Sequence, residues 1–282
     1  MNENITVTVD QILDRYASEC VPKLAPRTQR DYARLIEHLR RAFGSRIASE
    51  LKPRDFGPYI QVLKGVTFRV RQLAVLSSAF SHAVSFWYWL ESNPLRDVKR
   101  PKNEPRDRLI EQHEFDAVLA IAPLRVRLMM RLALKIGQRQ GDLLALRWSD
   151  IKPSQVGQDA IHLYQGKTKK RLAIAVDKEL EGILDECYVL PGGGKDGGEY
   201  VITREIGGRY TCEGFRANWQ RTMRKYMRRG GTNFHFHDIR ALCATRCPTP
   251  EYAQRLLGHT SIGMTLRVYR RGIEHVQALP ST

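Results

Sequence analysis

The segment HFHDIRALCATRCPTPEYAQRLLGHTSIGMTLRVY, residues 235–269, sets His237 and Arg240 three positions apart, adds His259 and ends on Tyr269. Two more residues with chemical potential lie upstream. Arg139 follows a glycine in KIGQRQGDLLALRWSDI, and Lys167 sits in YQGKTKKRLAIAV. Attack on a phosphodiester needs a nucleophile, cationic donors for the non-bridging oxygens and an acid for the departing alkoxide. Tyr269 is a candidate nucleophile, although a phenol with a pKa of about 10 needs cationic neighbours or a base to become reactive. Arginine suits the phosphate because its planar fork binds two oxygens at once. His237 and Arg240, at i and i+3, point from one helix face toward a common spot. The carboxylate clusters of metal-dependent nucleases are not evident, so the chemistry indicated uses neither metal nor cofactor. A zinc set drawn from Cys243, Cys247, His235, His237 and His259 lacks a CxxC knuckle, and no metal is expected. Each motif alone is ordinary. HxxR arises often by chance, Arg139 reads as a surface arginine at a helix turn, and Lys167 reads as a solvated lysine.

The charge balance favours one class of partner. The net charge is +16, from 46 Lys+Arg against 30 Asp+Glu. Basic surface gains affinity by releasing counterions condensed on nucleic acid, so a polyanion is the expected partner. The excess is spread over both halves, which predicts that both touch the same anion. Five scattered cysteines, an odd number, fit a reducing compartment better than a disulfide framework. No apolar run is long enough for a membrane span, and MNENITVTVD does not read as a secretory signal. A membrane partner is not expected.

Positioning these residues falls to a mostly helical chain with a small β-sheet. In PRTQRDYARLIEHLRRAFG, Tyr32, Leu35, Ile36, Leu39 and Phe43 recur at helical spacing, with Pro26 just before the start and Gly44 stopping the pattern. Its other face carries Arg27, Arg30, Arg34 and Arg41, candidates for phosphate contacts. A second long helix is predicted through FRVRQLAVLSSAFSHAVSFWYWL, with a buried stripe of Val70, Leu73, Ala74, Ser77, Phe80, Ala83, Val84 and Trp87. Shorter helices are predicted near 8–20 and 53–63. The charged, proline-rich NPLRDVKRPKNEPRDRLI reads as a linker, and the boundaries predicted are a helical domain 1–100, a linker 101–107 and a second domain 108–282. There, LIEQHEFDAVLAIA and RVRLMMRLALKIG read as helices and DAIHLYQGKTKKRLAIAV as a β-hairpin with Lys167 at its turn. PGGGKDGG reads as a flexible loop without the glycine order of a nucleotide site. Further helices are predicted at 211–229, 238–247 and 250–257, and a last one carries Tyr269.

IGQRQGDLLALRWSDI, QGKTKK, HDIR, LLGH and VYRR, in that order, resemble the catalytic domain of the tyrosine recombinases, nearest the phage integrase branch. PKLAPRTQRDYARLIEHLRRAFG and NPLRDVKRPK resemble the family's helical core-binding (SAM-like) domain and its exit. The resemblance implies that Arg139 and Arg240 hold the scissile phosphate and that His237 and His259 hydrogen-bond it and assist proton transfer. Lys167 would protonate the leaving 5′-oxygen, Tyr269 would be linked to the 3′-phosphate, and Asp142 would support the site. It further implies double-stranded attachment or core-site DNA as substrate, a homotetramer on that DNA, and a host DNA-bending factor or excisionase as accessory. The work would lie in integrating or excising phage or other mobile DNA, in the bacterial cytoplasm at the nucleoid. Lys169 and Lys170 rival Lys167, which is preferred for its KT pattern. His235 lacks the HxxR spacing of His237, and Ile136 stands where many relatives have Thr. The core-binding pattern begins by about residue 7, so the arm-binding domain of lambda-like members is not expected in this chain. The tail RRGIEHVQALPST is apolar enough to dock on a neighbouring protomer. Two other readings are a type IB topoisomerase, which rejoins the same strand, and a non-catalytic DNA-binding regulator.

Overall fold

A computed structural model describes residues 6–61, 66–100, 108–153 and 157–269. The chain divides into two compact units, Met1–Pro105 and Arg106–Thr282. The predicted linker 101–107 and the tail after Tyr269 lie outside the described residues.

The first unit is helical: α1 (Val9–Glu19), α2 (Pro26–Phe43), α3 (Gly57–Gln61) and α4 (Val66–Ser85). Thr8 caps α1 by accepting from the Gln11 N–H, while the Gln11 side chain accepts from the Thr8 N–H, so two orphan donors are satisfied reciprocally. Helix α2 buries Leu35, Ile36, Leu39 and Phe43. Burying each such side chain contributes roughly 1.5–3 kcal/mol. Arg27, Arg30, Arg34 and Arg41 remain exposed on it.

Helix α4 departs from the predicted pattern in two ways. It ends at Ser85, because the aromatic run after it packs back on α1. The Trp87 indole donates to Glu19 at 3.1 Å, and the Arg15 guanidinium lies 4.8 and 4.7 Å from the Trp87 and Trp89 rings. Its buried surface is also wider than a single stripe. Ala74 is exposed, whereas Gln72, Val75, Leu76 and Ala79 are buried, because α1, α2 and α3 all pack on this helix.

The second unit is mostly helical around a small antiparallel sheet. Its elements are α5 (Gln112–Ile121), α6 (Leu124–Ile136), α7 (Gln140–Leu143), β1 (Ile151–Pro153), β2 (Asp159–Tyr164), β3 (Arg171–Ala175), α8 (Lys178–Tyr188), α9 (Cys212–Arg228), α10 (Asp238–Arg246), α11 (Pro250–Leu257) and α12 (Ile262–Tyr269). The predicted hairpin pairs Ile161 with Ile174 and Leu163 with Leu172. Strand β1 adds a third strand beside β2, too short to show a period in the sequence. The PGGGKDGG stretch forms a packed turn: a Cβ at Gly194 would meet the Tyr188 ring at 2.2 Å, and Asp196 accepts from the Gly192 N–H. Helix α10 packs across α6, and α12 packs on α10 and α11. Among the described residues no helix is long and apolar enough to cross a membrane.

Candidate active site

Helices α6 and α11 both end on a left-handed glycine, Gly137 (φ 63°) and Gly258 (φ 65°). Such ends leave carbonyls without helical partners and carry the negative end of the helix dipole. Arg240, buried on α10, uses both. Its Nη1 donates to the Gly137 carbonyl at 2.5 Å, and its Nη2 donates to that of Leu257 at 2.5 Å. Neither glycine is replaceable without movement. A Cβ at Gly137 would meet Leu257 at 2.4 Å, and one at Gly258 would meet Gln165 at 2.5 Å. Burial, then the nearby Arg139, lowers the Arg240 pKa to about 10, so it stays cationic at neutral pH.

Arg139 follows the α6 turn and occupies the N-cap position of α7. Its Nη1 donates to Gln165 Oε1 at 3.2 Å and lies 3.9 Å from Asp142 Oδ2. The other Asp142 oxygen, Oδ1, accepts from the Gly166 N–H at 3.0 Å. Asp142, itself on α7, therefore ties the β2–β3 turn to the short helix that Arg139 precedes. Lys167 is exposed in that turn. Of its two rivals, Lys169 sits 5.6 Å over the Tyr164 ring, whereas Lys170 is near enough to His259 to lower its pKa.

His237 is the N-cap residue of α10. Loss of water on its inner side and the cations Arg240, Arg139 and Lys167 lower its pKa, against Asp238, which raises it. His259 is more enclosed. Burial first, then Arg240 and Arg139, bring its pKa down to about 4. Its Nδ1 lies 2.9 Å from Thr265 Oγ1, a fully buried hydroxyl on α12 one helical turn before position 269. Tyr269 is the last residue of α12. His235 is exposed, and its N–H donates to Asp238 Oδ2 at 2.7 Å. Cys243 packs with Ala253 and Leu257 in a small apolar cluster.

The structure thus gathers Arg139, Arg240, His237, His259 and the Lys167 turn around one spot, with Asp142 at its edge. The four arginines of α2 belong to the other unit. Gln138, Gln165 and Thr265 were not singled out from the sequence, yet they brace this cluster. Gln138 and Gln165 are buried neutral amides without a motif, and the one sequence clue was their place beside Arg139 and Lys167 in IGQRQ and YQGKT.

Residues 108–274 match the model of the phage integrase family. The integrase of Escherichia phage HK022 is 26% identical over 93% of this chain and 75% of its own length. A shufflon-specific DNA recombinase of Escherichia coli is 28% identical over 68% of this chain and 45% of its own length. In fold, the chain is similar to lambda integrase in the crystal structure of its tetramer bound to a Holliday junction. That similarity has a TM-score of 0.81 at 24% identity and covers 98% of this chain and 82% of the other. With the family model spanning more than half its length, the chain belongs to the phage integrase family of tyrosine recombinases.

Proposed function

We propose that this recombinase cleaves DNA through attack of Tyr269 on the scissile phosphorus and rejoins the cut end to a different strand. The observation that carries the reading is the charge imbalance of the cluster. Arg139, Arg240, Lys167 and Lys170 surround two histidines with lowered pKa values. The facing carboxylates, Asp142 and Asp238, are each already engaged by a backbone N–H. Like charges held this close are unfavourable until an anion joins them, and a phosphate with developing negative charge is such an anion.

In the forward step the Tyr269 oxygen bonds to phosphorus and the bond to the 5′-oxygen breaks. Lys167 passes its proton to that oxygen, and the phenolic proton passes to a neutral histidine, His237 or His259. Arg139 and Arg240 hold the non-bridging oxygens throughout, and Asp142 keeps the Lys167 turn against Arg139. The 3′-phosphotyrosine bond conserves the energy of the phosphodiester. Attack by the 5′-hydroxyl of another strand reverses the step and needs neither ATP nor metal.

Residues 1–100 serve in this reading as the core-binding domain, with Arg27, Arg30, Arg34 and Arg41 on phosphates. The lambda integrase tetramer on a Holliday junction supports a homotetramer exchanging strands between two attachment sites. An excisionase or DNA-bending factor sets direction, and the setting is the nucleoid of a bacterial host carrying phage or other mobile DNA. The test pairs two labelled duplexes from a candidate attachment junction in EDTA. Recombinant strands of new length are expected. Relaxation of a supercoiled plasmid in a parallel assay, without recombinant strands from the duplexes, would favour the type IB topoisomerase reading, and tight binding with no cleavage would favour a regulator.

A further inference from the structure

Lys167 itself makes no hydrogen bond among the described residues, and a lysine on a turn has many rotamers. What fixes it must act through its neighbours. On one side the Gly166 N–H is held by Asp142 at 3.0 Å. On the other, the Thr168 hydroxyl donates to Gln165 Oε1. The turn is closed by the Gln165 N–H on the Lys170 carbonyl (2.9 Å) and the Lys169 N–H on the Gln165 carbonyl (2.8 Å).

The Gln165 amide is fully buried, and all four of its hydrogen-bonding positions are filled. Nε2 donates to Gln138 Oε1 at 2.7 Å and to the Leu257 carbonyl at 2.9 Å. Oε1 accepts from Arg139 and Thr168. The Leu257 carbonyl also receives Arg240. Gln138 Nε2 in turn donates to the Ile136 and Leu256 carbonyls, both at 2.8 Å, next to the glycine-ended helix termini. One amide therefore connects the lysine turn to both arginines. A glutamine that merely filled the core would need no bonds to Arg139 and Thr168, which face the site. A fully satisfied buried amide has one orientation, so it sets one geometry.

We propose that Gln165 is a positioning residue that holds the Lys167 turn at proton-transfer distance from the leaving oxygen. This rests on the reading of Lys167 as the general acid, and the test separates the two. Cleavage rates are measured for wild type, Gln165→Met, Thr168→Val and Lys167→Ala on matched DNA. One substrate has the ordinary 5′-oxygen at the cut, and the other has a bridging 5′-sulfur, whose thiolate leaves without a proton. Gln165→Met keeps the volume and removes the amide, whereas Thr168→Val removes only the turn-side bond and keeps the variant set informative if the first fails to fold.

On oxygen DNA, Gln165→Met is expected to be slower by about 10- to 100-fold, part of the roughly 10²–10⁴-fold that a positioned acid contributes. Thr168→Val should be slower by a smaller factor. On sulfur DNA Thr168→Val and Lys167→Ala should come within about threefold of wild type, and Gln165→Met should recover most of its loss, the remainder reflecting its lost bond to Arg139. Equal losses on both substrates for Gln165→Met and Thr168→Val, with Lys167→Ala rescued, would overturn the positioning role and leave the acid in place. Failure of sulfur to rescue Lys167→Ala would overturn the acid assignment and the proposal with it.

Discussion

Arg240 and Lys167 are cations of the same cluster, built in opposite ways. Arg240 is buried and bonded to two helix-end carbonyls, those of Gly137 and Leu257. Lys167 is exposed on a turn whose neighbours are tied down, while its own ammonium makes no hydrogen bond among the described residues. The buried floor of the cluster thus puts folding interactions into a charge that, in the proposed reaction, stays put while phosphorus changes its bonds. The exposed rim leaves a side chain that, in the proposed reaction, follows the leaving group as it moves. Stability and catalysis should therefore be inseparable at the floor and separable at the rim.

The largest effect is expected at the floor. Arg240→Ala should abolish detectable cleavage and also lower stability by about 3 kcal/mol, because the Gly137 carbonyl loses its donor in a buried site. Denaturant melts alongside cleavage assays check this, and loss of activity with unchanged stability would break the comparison. At the rim, Lys167→Ala should slow cleavage by roughly 10²–10⁴-fold. Its unfolding midpoint should match wild type, since substitutions of exposed residues typically shift stability by less than about 0.5 kcal/mol.

His259 tests the same contrast through pH. The folded chain keeps it neutral down to about pH 4, while its ordinary value is 6.5. Between these values the unfolded chain binds more protons, so stability is full above pH 6.5 and falls as pH drops toward 4. His259→Gln should flatten that part of the stability–pH curve in urea titrations. An unchanged slope would mean that His259 is not enclosed as described. The smallest effect belongs to the other unit. Arg41 is paired with Glu37 at 3.1 Å, whereas Arg27 and Arg30 have no ion pair among the described residues. Arg27→Ala or Arg30→Ala should each reduce the slope of log affinity against log salt by about 0.9, the value for one phosphate contact, and Arg41→Ala by less. Equal slopes for all three would remove the distinction.

The proposed site residues were legible because the proposed reaction restricts their types and a helix turn restricts their spacing, as with His237 and Arg240. The residues that hold them were not. Gln138, Gln165 and Thr265 are neutral, polar and aperiodic, and their partners lie up to 118 residues away, as between Gln138 and Leu256. Gly137 and Gly258 could be read as helix stops, but not as the reason two carbonyls meet one guanidinium. In the first unit the run after Ser85 keeps a helical period in sequence yet leaves the helix, because α1 supplies a better surface for Trp87 and Trp89. Strand β1 is three residues long and has no pattern to read.

The most direct test of the account is the identity of the covalent link. Wild type and Tyr269→Phe would be incubated in EDTA with nicked DNA from a candidate attachment junction, labelled on either side of the cut. Adducts would be resolved under denaturing conditions and the linked peptide sequenced by mass spectrometry. An adduct is expected for wild type alone, carried on the 3′-phosphate and mapping to Tyr269. The same adduct from Tyr269→Phe, or a link to the 5′ side, would contradict it.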